Sequence, residues 1–290
     1  FKQFGEGNAW MFAIAGAITP FNRMALKALP INWSNPEARG LPHMYGVILL
    51  CEQASGLPLC LMDGTFITNM RTGALAGVGA KYLARKDSET LALIGTREIA
   101  RNAALAISAS LPSLRSVRVY SRSAANRELF VREMSGQLRG EVSKADSVEQ
   151  AVSGADIVVT ATSAGSPVFK ASMVEPGMYI HAMGSKNEVD PSALAKSKVV
   201  AEGKEECKSH GKWGEALRHG LTKEADLHGE LADVISGKRP GRTSKSEVFF
   251  LDSVGLPVED VILASRVYDE AVKAGVGTSL DLYEGLRNWS

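Results

Sequence analysis

The sequence predicts an α/β fold, with a doubly wound parallel sheet in one domain and a second domain formed by the rest of the chain. Strand and helix patterns alternate from residue 90 to residue 162, and further apolar strands follow, which is typical of a parallel sheet covered on both faces. The 290 residues are 45% hydrophobic and 22% charged, which is enough for two cores of ordinary domain size.

Three sequence patterns precede residue 90, where the alternation of strands and helices begins. The apolar stretch Ala9–Ile18 is about half as long as the ~20 residues of a bilayer span, so it is not expected to be a membrane anchor. The apolar runs Tyr45–Cys51 and Leu57–Met62 flank a polar stretch that ends in glycine, which predicts a β-hairpin. Residues Thr72–Leu83 are rich in Ala and Gly with apolar residues at helical spacing, which predicts a closely packed helix between the domains.

The alternation itself predicts a sheet of about six strands, the size of a doubly wound sheet. The predicted strands are Thr90–Ile94, Ser116–Tyr120, Glu141–Ala145, Asp156–Thr162, Met178–Ala182 and Lys198–Ala201. The predicted helices between the first four strands are Ile99–Ser110, Ala124–Gln137 and Val148–Val152.

Beyond the sixth strand the pattern becomes helical and polar. It predicts helices over Cys207–Leu217 and Gly229–Ile235, a loop over Gly237–Ser246, a strand over Val248–Leu251 and a final amphipathic helix over Glu259–Ala274.

The charge balance favours a small-molecule partner. Lys and Arg number 33 and Asp and Glu 32, so the net charge of +1 provides no electrostatic attraction for nucleic acid or an anionic membrane. The three cysteines form no C-x-x-C pair, which favours a reducing, cytoplasmic compartment. No metal site is expected either, because His210, His219 and His228 lack the short spacing of metal ligands.

The strand Thr90–Ile94 runs into a glycine turn and a helix start, which is the context of a Rossmann dinucleotide loop. Gly95 and Ala100 fill the first and third positions of the G-x-G-x-x-G/A pattern; Thr96 lies between, and Arg97 occupies the second glycine position. Arg97 would either crowd the cofactor phosphates or add a charge-assisted contact to them. The alternative is that Gly95 only turns the chain in a sheet that binds no nucleotide.

The next strand ends in Ser121, Arg122 and Ser123, where NAD enzymes usually carry an acid that binds the ribose. An arginine with two hydroxyls favours NADP over NAD, which remains the alternative cofactor. Arg122 could also be a solvated arginine at a helix start.

Five motifs in this order resemble the ornithine cyclodeaminase/mu-crystallin family, from about residue 25 to residue 282. They are MDGTFITNMRTGAL (62–75), KYLARKDS (81–88), IHAMGS (180–185), GELADVISGKRPGR (229–242) and LDSVGLPVEDV (251–261). The family includes cyclodeaminases, amino-acid dehydrogenases, cyclic imine and ketimine reductases, and a lens crystallin that binds thyroid hormone.

The resemblance implies a two-domain homodimer. A Rossmann domain would span residues 73–257, and a second α+β domain for substrate binding and dimerisation would combine residues 1–72 with 258–290.

The resemblance also implies site residues. Arg71 matches the arginine that grips the substrate carboxylate, and Lys27 matches the lysine beside it. Arginine offers a planar, permanently charged fork, whereas a lysine can donate a proton to an imine or carbonyl. Without the resemblance, Arg71 would be interpreted as a cap or ion pair at a strand–helix junction and Lys27 as a solvated helix lysine.

Further residues match positions near the nicotinamide, at the carboxyl edge of the sheet where ligands collect. They are Thr160, Thr162, Ser163, Met183, Gly184, Ser185, Ser253 and Gly255. The basic loop Gly237–Arg242 could touch the cofactor phosphates or be solvated.

The main departure from the family follows Ser185. Cyclodeaminases carry an aspartate just after this glycine-containing turn, whereas here the chain runs directly into Lys186-Asn187-Glu188. Either a few residues are missing from the sequence, or the protein lacks the acid that steers water and ammonia. Asp190 matches a later, structural position, and a family arginine upstream of Lys27 is not identifiable.

Three functions are consistent with these residues. The first is an NADP-dependent oxidoreductase of an α-imino or α-amino acid, because hydride transfer needs no water-activating acid. The second is cyclodeamination of a diamino acid with catalytic NAD. The third is a non-catalytic protein that binds NADPH and a ligand in the manner of the crystallin.

Overall fold

The computed structural model describes residues 2–6, 9–185 and 187–281, so the ends of the predicted second domain at residues 1 and 282–290 lie outside the description. The chain forms two compact units, one of Phe1–Ile67 with Pro257–Ser290 and one of Thr68–Leu256. The assignment of the first unit to substrate binding and dimerisation stays a prediction.

The described residues contain thirteen strands and nine α-helices. The strands are β1 Lys2–Glu6, β2 Ala9–Ile18, β3 Arg23–Asn32, β4 Val47–Glu52, β5 Pro58–Asp63, β6 Thr90–Ile94, β7 Ser116–Tyr120, β8 Glu141–Lys144, β9 Ile157–Thr160, β10 Tyr179–Ala182, β11 Lys198–Ala201, β12 Gly229–Glu230 and β13 Phe249–Asp252. The helices are α1 Asn35–Arg39, α2 Gly64–Leu83, α3 Glu98–Ser110, α4 Ala124–Met134, α5 Val148–Val152, α6 Lys204–His210, α7 Lys212–Arg218, α8 Leu231–Ile235 and α9 Pro257–Ala274.

The first unit is an antiparallel sheet in the order β1-β2-β3-β4-β5. The predicted hairpin is confirmed as β4 and β5, and the apolar stretch Ala9–Ile18 is strand β2. Alternate side chains such as Ile14, Ala25 and Ile48 are buried, and α9 packs on the sheet through Val261.

The opposite face of this sheet carries apolar side chains that the described residues do not cover. Ala15, Leu26, Leu49 and Leu61 lie side by side across four strands. Leu26 is 44% exposed and Leu61 is 70% exposed. We call this row the outer apolar row.

The second unit is an eight-stranded parallel sheet in the order β12-β11-β13-β10-β9-β6-β7-β8. Cores lie on both faces, one containing Leu93 and Leu251 and the other Ile94 and Trp213. Because β7 and β9 flank β6 on opposite sides, the strand order reverses there, and ligands bind at such a point in open α/β sheets.

Several boundaries differ from the prediction. Helix α2 begins at Gly64 rather than Thr72, because the Asp63 carboxylate accepts hydrogen bonds from the amides of Thr65 and Phe66 and so caps the helix start. The predicted strand Asp156–Thr162 was too long, since β9 ends at Thr160.

The predicted helix Cys207–Leu217 was wrong as one element, because α6 ends before Gly211 and α7 begins after it. A side chain at Gly211 would overlap Asp252 Oδ2, so the chain must pass this carboxylate closely. Gly229, predicted to start a helix, instead starts the edge strand β12.

No helix in the described ranges combines the length and the apolarity that a bilayer span requires.

Candidate active site

The glycine loop lies at the point where the strand order reverses. Gly95 adopts φ +130°, and its amide donates to Tyr120 O at 2.8 Å. A side chain at Gly95 would come within 2.5 Å of Ala161 O. The loop is therefore held between the ends of β7 and β9, in a conformation that favours glycine.

Arg97 stands at the N-cap of α3 without backbone strain, with φ −82° and ψ −175°. Its side chain is exposed and does not cap the helix, whereas Ser123 and Ser147 cap α4 and α5. The first backbone amides of α3 therefore lack the serine cap that α4 and α5 have. Together with the tight turn at Gly95 and the buried Thr96, this helix start fits the pyrophosphate of a dinucleotide.

The two serines beside Arg122 are engaged locally. Ser123 Oγ accepts the Asn126 amide at 3.2 Å, and Ser121 Oγ donates to Ser123 O at 3.1 Å. Arg127 donates to Ser121 O at 2.6 Å. Arg122 itself is exposed and has no hydrogen bond or ion pair within the described part of the chain, so its guanidinium is available at the end of β7.

The loops after β9 and β10 are bound to each other. Ser185 donates its amide to Thr162 O at 2.8 Å, and a side chain at Gly184 would overlap the same oxygen. Thr160 is fully buried at the end of β9, while Ser163 is exposed and Met183 is partly buried. The structure thus brings these six predicted residues to neighbouring strand ends.

A buried carboxylate that the sequence reasoning did not select joins these loops. Glu188 accepts hydrogen bonds from the Thr162 amide at 2.8 Å, from the Thr162 hydroxyl at 2.9 Å and from the Gly184 amide at 2.6 Å. Its side chain has no exposed surface. Because all three hydrogen bonds go to groups of these two loops, the role of Glu188 is structural.

Lys212 is a second buried group that the sequence reasoning missed. Its Nζ donates to Ala182 O at 3.0 Å and to Gly184 O at 3.3 Å, and lies 3.9 Å from Glu188 Oε1. Only 3% of Lys212 is exposed. The sequence pattern around it is helical and polar, and no local signal pointed to its burial.

Asp252 holds the start of α7. Its carboxylate accepts the amides of Lys212 at 3.2 Å and Trp213 at 2.9 Å. Burial raises the pKa of Asp252, although the Lys212 charge and these two amides oppose that shift.

His181 and Ser253 link β10 to the loop after β13. His181 Nε2 and Ser253 Oγ share a hydrogen bond of 2.9 Å. Complete burial, and secondly the charge of Lys212, lower the pKa of His181 to about 3. The imidazole is therefore neutral at physiological pH.

Arg71 lies against Gly255 in the same unit. Gly255 has φ +82°, and a side chain there would overlap Arg71 Nη1. The guanidinium thus covers a glycine next to the Ser253 turn. Arg71 lies inside α2, so the expectation of a strand–helix junction was wrong.

Lys27 belongs to the first unit. It lies in β3, and its Nζ forms an ion pair of 2.6 Å with Asp260 Oδ2 of α9. Only 1% of Lys27 is exposed. The interpretation as a solvated helix lysine is therefore wrong, because the side chain sits in the core beneath α9.

The basic loop Gly237–Arg242 ends away from the glycine loop. Arg242 donates to Leu83 O, Met178 O and Glu247 O, the last two just before β10 and β13. These contacts lie at the amino ends of the strands and argue against a phosphate contact for Arg242. In the described ranges, no three His, Cys, Asp or Glu side chains could hold a metal ion.

Known proteins share this arrangement over most of the chain. The profile of the ornithine cyclodeaminase/mu-crystallin family matches residues 15–275. A Δ1-pyrroline-2-carboxylate reductase of Bacillus cereus is 36% identical over 242 residues, which are 81% of this chain and 74% of that protein.

Two solved structures are similar at the level of the whole chain. Thermococcus litoralis Δ1-pyrroline-2-carboxylate reductase, in complex with NADH and L-proline, has a TM-score of 0.89 at 34% identity and covers 94% of this chain and 85% of its own. An archaeal alanine dehydrogenase dimer with bound NAD has a TM-score of 0.89 at 30% identity, over 97% and 87%. The chain therefore belongs to the ornithine cyclodeaminase/mu-crystallin family.

Proposed function

We propose that this protein is an NADP-dependent oxidoreductase that interconverts a small α-imino acid and the corresponding α-amino acid. The observation that carries the proposal is the Arg71 guanidinium packed on Gly255, beside Ser253 and the ends of the central strands. A permanently charged planar fork in that position suits a substrate carboxylate. The reductases and the dehydrogenase similar to this chain support the same class of reaction.

The proposal assigns a role to Arg71 and to Lys27. Arg71 holds the substrate carboxylate and so orients the imine carbon. The reduced nicotinamide supplies a hydride to that carbon when it is bound. Lys27, kept in the core by Asp260, donates a proton to the imine nitrogen or polarises it.

Arg122 favours NADPH as the cofactor. Its exposed guanidinium follows β7, where the ribose of a dinucleotide lies in Rossmann folds, and no acid stands there to bind a 2′-hydroxyl. The hydroxyls of Ser121 and Ser123 form hydrogen bonds with backbone groups. The arginine is therefore the group that would bind a 2′-phosphate. Arg97, exposed at the start of α3, would add a second positive charge near the pyrophosphate.

Cyclodeamination is less well supported, because the acid next along the chain from Ser185 is Glu188. That carboxylate is fully buried and accepts three hydrogen bonds from Thr162 and Gly184. Moving Glu188 to transfer a proton to water or ammonia would break all three of these bonds. The reductase needs no acid at this position, and this favours it.

A homodimer is part of the proposal. The outer apolar row is exposed on the first unit, and a second copy of the chain would cover it. One similar structure is an archaeal dimer. A cytoplasmic location accompanies this proposal, since Cys51, Cys60 and Cys207 are free thiols.

The test is a substrate panel with two readouts, the absorbance of NADPH and the products by mass. We expect NADPH to be consumed with five- or six-membered cyclic imino acids, or with pyruvate and ammonia, and the matching amino acid to appear. Ammonia and a cyclic amino acid formed from a diamino acid with catalytic NAD would show a cyclodeaminase instead. Tight NADPH binding without any turnover would support the crystallin-like function.

A further inference from the structure

Glu202 is a buried carboxylate at the end of β11, and neither the hydride transfer nor the cofactor edge uses it. Its Oε2 accepts the amides of Val254 and Gly255, both at 2.7 Å. The residue is 6% exposed, and Oε1 is buried without a hydrogen-bond partner among the described residues. Burying an acid in this way is costly unless bonds compensate, so the two amides are held firmly.

The turn that Glu202 holds is the surface on which Arg71 rests. Gly255 adopts φ +82°, and the space that a side chain would occupy there is filled by the guanidinium, whose Nη2 would lie 2.7 Å from the added carbon. A change in the turn would therefore displace Arg71 directly. The three residues form a continuous series of contacts within one compact unit.

We infer that Glu202 is a positioning residue for Arg71, and that it sets the affinity of the site for the substrate carboxylate. The inference rests on the proposed function, in which Arg71 binds that carboxylate. Loss of the Glu202 oxygen would free the Val254 and Gly255 amides, let the turn move and misplace the guanidinium fork. A bidentate contact depends on such placement more than a point charge does.

The structure offers a matched control at the other edge of the same sheet. Glu247 Oε2 accepts the amides of Thr243 and Ser244 at 2.7 and 3.0 Å, just as Glu202 binds two consecutive amides. Glu247 lies before β13, whereas Arg71 packs on the turn after it. Glu247→Met therefore removes the same kind of amide bonds without touching the Arg71 turn, although it also removes the contacts of Oε1 with Lys198 and the Thr243 hydroxyl.

The experiment compares Glu202→Met, Glu202→Gln and Glu247→Met, each with Arg71 intact and with Arg71→Lys. We measure the imino-acid KM, inhibition by pyrrole-2-carboxylate, and Tm. With Arg71 intact, Glu202→Met should raise KM and the inhibition constant on the order of tenfold. Glu202→Gln retains an acceptor oxygen and should stay close to wild type. Glu247→Met should lower Tm and leave KM unchanged.

With Arg71→Lys, Glu202→Met should have little further effect on KM, because the fork that it positions is already gone. An equal KM increase in both backgrounds, or a Tm loss without a KM change, would overturn the inference while leaving Arg71's own role intact. An unchanged KM in Arg71→Lys would refute both. If Glu202→Met does not fold, Gly255→Ala disturbs the same turn, because its methyl group would displace the guanidinium and φ +82° is strained for alanine; it should raise KM only when Arg71 is present.

Discussion

Lys27 Nζ and Asp260 Oδ2 lie 2.6 Å apart, with only 1% and 3% of their side chains exposed. The pair joins a central strand of the first unit to the helix that packs on it. Breaking a buried ion pair leaves one uncompensated charge, which costs much more than replacing both partners by apolar groups.

Asp260→Ala should therefore destabilise the protein by about 3–5 kcal/mol in urea denaturation. The double variant Lys27→Met/Asp260→Leu should recover most of that stability but none of the reductase activity, because the proposed proton donor is absent. A fully active double variant would exclude Lys27 from the chemistry.

Arg71→Ala tests the substrate anchor. Loss of a charge-assisted contact to a carboxylate should raise the imino-acid KM about 100-fold, while the NADPH dissociation constant, measured by fluorescence titration, should change little. If both constants weaken to the same extent, Arg71 supports the fold of the site rather than the substrate.

Arg122→Ala tests the cofactor edge. The exposed guanidinium should contact only the 2′-phosphate, so the variant should bind NADPH about tenfold or more weakly and bind NADH as well as wild type does. Arg118→Ala, earlier in β7 and bonded to the carbonyls of Gln150 and Ser153, is the control and should affect neither cofactor selectively. Equal loss for both cofactors would place the 2′-phosphate elsewhere.

The burial of His181 makes stability depend on pH. Burial lowers its pKa to about 3, whereas the unfolded chain titrates near 6.5, so the unfolded state binds more protons between these values. Folding stability should accordingly fall as the pH drops below about 6.5, with this residue adding up to about 1.4 kcal/mol per pH unit. Well above that pH the effect is absent.

His181→Gln removes the titrating group, so its unfolding free energy in urea should fall less steeply than that of wild type as the pH is lowered through this range. Parallel curves for the two proteins would show that His181 has the same pKa in the folded and unfolded states.

The outer apolar row predicts the assembly. Leu26→Lys combined with Leu61→Glu puts charges on a face that a second copy would bury, which should convert a dimer into a monomer in light scattering. Val272→Lys on α9 is the control, because Val272 is also 60% exposed but lies outside the row, and the mass should not change. A dimeric double variant would locate the interface elsewhere.

Much of the fold could be predicted from the sequence because its signals are local. Strands β6 to β11 coincide with apolar runs that are visible in the sequence. Gly95 comes directly after β6, as a phosphate-binding loop requires. The family resemblance led to Arg71 and Lys27, although not to their surroundings. The break at Gly211 and the early start of α2 depend on carboxylates that bind backbone amides, which periodicity does not reveal.

The sequence by itself determined the α/β class, the strand end that carries Arg122 and the family to which the chain belongs. These features depend on the hydrophobic periods of strands and helices and on the order of short motifs, both of which are local properties of the sequence. Only the tertiary structure decided which charges are buried and what they hold. Glu188, Glu202 and Lys212 bond to backbone groups that are 26, 53 and 30 residues away, and side-chain patterns carry no information about such partners. For the same reason, residue patterns alone indicated a solvated Lys27, whereas in the structure Asp260 of α9 forms an ion pair with it.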